Sequence, residues 1–171
     1  MPFYRRRRYY GRKALKYSNE TMSCTISLDN HGETGTHIQS PVSVVPVTTV
    51  LGTRKLKNFL LQIMPLYTKI GEDVQNAANI AWALVFVPEG TDPSRIAMGA
   101  GQTTSFYEPN QNVIMSGVAD SSRVYQFRSR LARNLNAGDQ VALILYDLTS
   151  KPDDEDVSTG VAFTLNYAIG Y

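Results

Sequence analysis

The sequence predicts an all-β domain that follows a short basic arm. After residue 17, apolar and polar residues alternate with a period of two, most clearly over 22–28 and 161–169. This alternation is typical of a strand that has one buried and one solvated face. Turn-forming clusters such as Asp29-Asn30-His31-Gly32 and Asn136-Ala137-Gly138-Asp139 separate the alternating runs. Many short strands joined by such turns favour a sandwich or a barrel.

The pattern divides the chain into eight predicted strands, which span 21–28, 42–50, 56–67, 79–88, 112–117, 123–132, 140–148 and 159–169. Pro46 has no N–H to donate, so we expect the second strand to lie at a sheet edge or to contain a bulge. A short amphipathic helix is the alternative for 123–135. Among double-sheet folds of this size, eight antiparallel strands favour a single jelly-roll sandwich over residues 18–171.

Three strands carry further information about the core. Trp82 lies two residues from both Ile80 and Leu84, and we expect it to anchor the core. Cys24 alternates with apolar residues, which predicts a small buried side chain. Residues 141–148 are apolar except for Asp147, and we expect them to be covered on both sides.

Length and composition are typical of one domain with an arm. The chain has 171 residues, 43% of them hydrophobic, which is enough for a core without disulfides or a structural metal. A single cysteine cannot form an internal bridge and gives no sign of an oxidising compartment. The longest strand-like apolar run, 80–87, is far shorter than the roughly 20 residues that cross a bilayer. No apolar stretch follows the N-terminal charges, so we expect a soluble intracellular protein without a membrane partner.

The charges divide the chain into two parts. The first 17 residues contain seven Lys and Arg and no acidic residue, while 18–171 carry the other ten cations and all 15 acids, a net charge of −5. Blocks of like charge repel one another and commonly form disordered interaction tails. A cationic arm on an acidic domain predicts a polyanionic partner that the arm binds. A solvated tail or a nuclear import signal is the other interpretation, and import is compatible with binding.

The arm has the chemistry of a single-strand binder. Consecutive arginines offer paired donors suited to phosphate, and interleaved tyrosines can stack on unpaired bases. A second cluster opens the third strand, where it either extends this surface or is simply solvated. The predicted nucleic-acid-binding residues are Arg5, Arg6, Arg7, Arg8, Tyr9, Tyr10, Arg12, Lys13, Lys16, Arg54, Lys55 and Lys57. Arg128, Arg130 and Arg133 either line the same surface or pair with acids of another subunit.

No pattern in the sequence indicates catalysis, and we expect no catalytic residue, cofactor or resident metal. Two histidines and one cysteine lack zinc-ligand spacing. Residues 99–104 are glycine-rich but lack the Gly-Lys-Ser/Thr ending of a phosphate loop. The acidic cluster at 153–156 is interpreted as a solvated turn, with a calcium site at a subunit contact as the alternative.

Three segments resemble viral coat proteins. They are the opening Met-Pro-Phe-Tyr-Arg-Arg-Arg-Arg-Tyr-Tyr, the turn 135–139 leading into the apolar strand 141–146, and the alternating strand that ends at Tyr171. Together they resemble the capsid proteins of small circular single-stranded DNA viruses, the circovirus- and nanovirus-like group. The resemblance implies a jelly roll at 18–171 with the arm, 1–17, inside a T=1 icosahedral shell of about 60 copies around circular DNA. It also implies location in the virion and, during assembly, in the host nucleus.

Other classes remain open at this point. A satellite or small RNA-virus coat protein has the same layout, because the arm does not distinguish DNA from RNA. A ribosomal-type RNA-binding protein is a second alternative, although such proteins usually spread Lys and Arg through the domain. A jelly-roll ligand of the cytokine or complement type is a third, and it requires secretion or a membrane anchor.

Overall fold

A computed structural model describes residues 16–30, 39–75, 77–93, 112–148 and 155–170. Within these ranges the chain forms ten β-strands and no α-helix, so no described helix is long or apolar enough to span a membrane. The strands are β1 (Tyr17–Asn30), β2 (Gln39–Val45), β3 (Arg54–Ile70), β4 (Asp73–Gln75), β5 (Asn79–Val87), β6 (Val113–Asp120), β7 (Tyr125–Ser129), β8 (Arg133–Leu135), β9 (Gln140–Asp147) and β10 (Val157–Gly170).

The strands form two antiparallel sheets with the strand order of a jelly roll. Sheet A has the order β1-β10-β3-β4, with β7 and β8 also paired to β3, and sheet B has the order β2-β9-β5-β6. The pairs β1/β10, β2/β9, β3/β7 and β5/β6 are nested like the two arms of one long hairpin. Rolling that hairpin so that β10 meets β3 and β9 meets β5 gives the two-sheet jelly roll. The predicted fold class is therefore confirmed.

All eight predicted strands are present, and their ends differ from the prediction for physical reasons. The second strand ends at Val45, directly before Pro46, and forms an edge of sheet B as expected. The segment predicted at 123–132 is strand β7 and not a helix. Two short strands, β4 and β8, were not predicted, since each is only three residues long and depends on pairing with β3.

The core lies between the sheets, and Trp82 is buried in it as predicted. Its side chain is fully buried, and its ring centroid lies 4.6 Å from that of Phe127. Residues 141–145 are fully buried on both faces of β9, which confirms that this strand is covered on two sides. Cys24 is only half-buried at the core margin, because β1 is an edge strand. Cys24 thus packs against the core as a small side chain, and its predicted burial is only partial.

A row of three hydrogen-bonded polar side chains connects the two sheets inside the domain. The buried carboxylate of Asp147 on β9 accepts a hydrogen bond from the Thr159 hydroxyl on β10 at 2.6 Å. Thr159 also lies 3.0 Å, hydroxyl to hydroxyl, from Thr68 on β3. A buried carboxylate is costly unless it accepts hydrogen bonds. The lone acid in the apolar strand therefore links sheet B to sheet A.

The register gives the domain two ends. Tyr17 pairs with Gly170, which pairs with Lys55, so the start of β1 and the start of β3 meet at one end. We call this the arm end, and it also carries the β2–β3 loop (46–53) and the β8–β9 turn (136–139). The far end carries the β3–β4 turn (71–72) and the β6–β7 turn (121–124).

Candidate nucleic-acid interface

The arm joins the domain at a corner of sheet A that already carries cations. Lys16 is exposed immediately before β1. The ammonium of Lys57 lies 3.6 Å from the ring centroid of Tyr17. Such a cation–π contact at an exposed site stabilises by about 0.5–1 kcal/mol. It orients the first residue of β1 against β3 and places the end of the arm beside Lys57.

Two of the three predicted lysine and arginine residues of β3 lie on the outer face of sheet A. Lys55 is exposed and Lys57 is half-buried under Tyr17, and a strand spacing of two places both side chains on one face. The structure therefore places Lys16, Lys55 and Lys57 near one another on the surface. Their binding of nucleic acid stays a prediction.

Arg54 does not belong to this surface, which corrects its assignment as a nucleic-acid-binding residue. It is only 7% exposed, because it shares the inner face of β3 with buried Leu56. Its guanidinium donates from Nη1 to the carbonyl of Pro46 and from Nη2 to the carbonyl of Asp139, each at 3.2 Å. Arg54 therefore holds the β2–β3 loop against the β8–β9 turn.

One further cation extends the surface, and the sequence alone assigned it only as an alternative. Arg128 on β7 is exposed and pairs in register with Leu60. Their neighbours Phe127 and Leu61 face the core, so Arg128 lies on the outer face of sheet A. Arg133 instead pairs with buried Leu56 and is half-buried. The spacing of two between Gln126 and Arg128 was the signal available in the sequence.

Exposed acidic side chains are more numerous at the far end than near this corner, where Glu20 and Glu89 are exposed. Five exposed acids lie at the far end, namely Asp29, Glu72, Asp73, Glu155 and Asp156. In the β6–β7 turn, hydrogen bonds from the Ser122 hydroxyl, the Ser122 N–H and the Tyr125 hydroxyl hold the pKa of Asp120 below its usual value. Asp120 therefore stays charged in mild acid. The field of the domain thus favours a polyanion at the arm end over the far end.

Several predicted residues lie outside the described residues. These are Arg5, Arg6, Arg7, Arg8, Tyr9, Tyr10, Arg12 and Lys13 in the arm, the glycine-rich segment 99–104, and Asp153 and Asp154 of the acidic cluster. Among the residues that the structure does describe, no group of three His, Cys, Asp or Glu is placed to hold a metal ion.

Substituting Lys55 and Lys57 together by Ala is expected to weaken single-strand binding and to lower stability by no more than about 0.5–1 kcal/mol, the value of the Lys57–Tyr17 contact. Loss of two phosphate contacts lowers the slope of log affinity against log salt by about 1.4. The matched variant Arg54→Ala is expected to lower the unfolding temperature and leave that slope unchanged, because its donors bind backbone carbonyls. Binding titrations of oligo(dT) at several salt concentrations, with thermal unfolding of each variant, measure both effects. An unchanged slope in the double variant would remove these lysines from the interface.

The comparisons with known proteins give similar structures only. No family model and no curated protein sequence matches the chain. The fold is similar to the capsid protein of beak and feather disease virus, a circovirus, in its decameric form, with 11% identity, a TM-score of 0.38 and coverage of 91% of this chain and 99% of that one. The 60-mer of the same protein is similar at 10% identity and a TM-score of 0.35, covering 90% of this chain and 93% of that one.

The empty head of turnip yellow mosaic virus is a third similar structure, at 10% identity and a TM-score of 0.33, covering 87% of this chain and 80% of that one. A circovirus capsid protein is thus among the structures similar to this chain.

Proposed function

We propose that this chain is the capsid protein of a small virus, which assembles with copies of itself and packages single-stranded nucleic acid through its basic arm. The observation that carries the proposal is the division of charge. Seven cations and no acids precede a jelly-roll domain of net charge −5. Jelly-roll domains commonly serve as shell units, and a cationic arm supplies the counterions that a packaged polyanion requires.

The position of the arm supports this assignment. Lys16 continues into β1 at a corner that also holds Lys55 and Lys57, while five exposed acids lie at the far end. A shell that presents its arm ends inward brings the cations together on the genome. Acidic far ends then lie away from the phosphates. A ribosomal-type protein needs cations over the domain surface, and this domain is net acidic.

The finer features belong to the same proposal. A closed shell of about 60 copies would collect roughly 420 arm charges, enough to offset a few hundred phosphates or more. We infer circular single-stranded DNA as the genome, the virion as the location of the assembled protein, and the host nucleus as the site of assembly, with the arm also serving as the import signal. The role is structural and not enzymatic.

The test is purification of the full chain after expression, with electron microscopy and analysis of the nucleic acid it carries. We expect uniform closed particles that protect single-stranded nucleic acid from nuclease. Packaging of RNA in preference to DNA would favour a small RNA-virus coat protein. A monomer that ignores oligo(dT) at low salt would overturn the proposal, and a monomer that binds RNA would support the ribosomal-type alternative.

A further inference from the structure

The β2–β3 loop at the arm end presents an aliphatic tip to solvent. Val47, Val50 and Leu51 are 56%, 70% and 91% exposed, and the residues between Val47 and Arg54 carry no charge. Single exposed apolar residues are ordinary, whereas three within five positions form a patch that marks a contact surface. We call Val50 and Leu51 the loop tip.

Hydrogen bonds near both ends of the β2–β3 loop hold this tip away from the domain. The Thr48 carbonyl accepts from the Gly138 N–H at 3.1 Å, and the Thr53 hydroxyl donates to the Asn136 side-chain oxygen at 3.2 Å. Within the loop, the Val50 N–H donates to the Thr48 hydroxyl. A tip fixed in this way loses little conformational entropy when it binds.

A shallow trough of about 230 Å³ lies on the outer face of sheet A. Its floor consists of two cross-strand rows, with Ser23, Thr164 and Gln62 in one and Thr25, Ala162 and Met64 in the next. Val124, 59% exposed, lines it from the β6–β7 turn. A cavity of roughly 150 Å³ accommodates benzene, so the trough has room for a leucine side chain.

The trough is uncharged and its polar floor makes hydrogen bonds within the sheet. The Ser23 and Thr164 hydroxyls lie 3.1 Å apart across the strands. In the adjoining row, the Thr21 hydroxyl donates to the Asn166 side-chain oxygen at 2.6 Å. An apolar group entering the trough therefore leaves these pairs intact. A phosphate or a charged peptide meets no countercharge among the lining residues.

The β6–β7 turn positions Val124 at the trough. The Asp120 carboxylate accepts hydrogen bonds from the Ser122 N–H and the Tyr125 hydroxyl, each at 2.8 Å, on the two sides of Val124. Arg123 lies over the Tyr125 ring with its guanidinium carbon 4.8 Å from the centroid. The trough and the loop tip are thus both held in place before any contact forms.

We propose that the loop tip of one copy inserts into the trough of a second copy, making an end-to-face contact between subunits. The inference rests on the proposed self-assembly and names a surface for it. A tip and a trough at different places on one chain make a heterologous contact, which propagates from subunit to subunit and closes into a ring where the rotation between copies closes. The tip cannot reach its own trough, since Ser23 lies six positions along β1 from Tyr17, about 20 Å of strand, and the loop is tied to the arm end.

The occupant follows from charge. Nucleic acid would need cations, and none lines the trough. An uncharged aliphatic tip matches an uncharged trough, and every copy of the chain supplies such a tip. A second copy is therefore the partner that the described surfaces fit.

The experiment uses the full chain assembled with poly(dT) and four variants. Leu51→Asp places a negative charge on the loop tip, and Val124→Asp places one at the trough. Leu131→Asp and Val118→Asp are matched controls, at residues that are 48% and 51% exposed outside both surfaces. We expect each of the first two variants to raise the protein concentration needed for particle formation by at least tenfold. The controls are expected to assemble like the original chain.

Mixing the two defective variants is the decisive measurement. Leu51→Asp keeps an intact trough and Val124→Asp keeps an intact tip, so an equal mixture is expected to form dimers of twice 19.0 kDa that do not grow further. Sedimentation velocity detects them. Normal assembly of either variant alone overturns the contact and leaves the proposed function in place. Normal particles of Val124→Asp that have lost poly(dT) overturn the contact in the same way. Failure of the unaltered chain to assemble overturns both proposals.

Discussion

Removal of residues 2–15 is expected to abolish packaging of nucleic acid and to leave the β domain folded. The deletion removes six of the seven arm cations and stops before Lys16 and β1. Each phosphate contact with a single strand contributes about 0.7 to the slope of log affinity against log salt, so the slope is expected to fall by about 4. Circular dichroism checks the fold, and oligo(dT) titrations between low and high salt give the slope.

Two smaller changes separate charge from stacking in the arm. Replacing Arg5, Arg6, Arg7 and Arg8 by Ala is expected to lower the slope by about 3. Replacing Tyr9 and Tyr10 by Ala is expected to leave the slope unchanged and to weaken binding by about 1–3 kcal/mol for each base stacked. If the deletion variant still packages normally with an unaltered slope, the arm is not the binding element, and the charge-based proposal fails with it.

The fold was predictable because its signal is local. Alternation with a period of two is visible within each strand, and Asn, Asp, Gly and Pro clusters mark the turns, so all eight principal strands follow from the sequence. Strand ends were less predictable because partners determine them. β3 continues to Ile70 since that residue pairs with both Val157 and Asp73. β8 is a strand only because Arg133–Leu135 lies against the start of β3.

The site was predictable in its charge and not in its contacts. Seven cations in 17 residues are visible in the sequence itself. The burial of Arg54 depends on two loops that meet only in the folded domain, so its charge gave a misleading signal. The contact between Tyr17 and Lys57 likewise joins residues forty positions apart, which only the pairing of β1, β10 and β3 brings together. The trough has no sequence signature either, since its residues come from separate strands.

Replacing Trp82 by Ala is expected to destabilise the domain by about 3–5 kcal/mol, the usual cost of removing a large buried aromatic side chain. Trp82 is fully buried in β5 and packs against Phe127 of sheet A. Across the pair of strands, a Cβ at Gly117 would lie only 3.0 Å from its Cζ2 atom. The absence of a side chain at Gly117 makes space for the Trp82 indole. Replacing Trp82 by Ala therefore leaves a cavity between rigid strands.

Trp82→Phe is the matched control and is expected to cost less than the alanine variant. The indole Nε1 has no hydrogen-bond partner within the described structure, so phenylalanine gives up no hydrogen bond and retains most of the apolar contact. Because Trp82 is the single tryptophan of the chain, urea unfolding must be followed by far-ultraviolet circular dichroism and not by fluorescence. A loss below about 1 kcal/mol in the alanine variant would contradict this packing, because a cavity of that size in a close-packed core cannot form so cheaply. Such a small loss would mean that the core around the Trp82–Phe127 ring contact rearranges to fill the cavity.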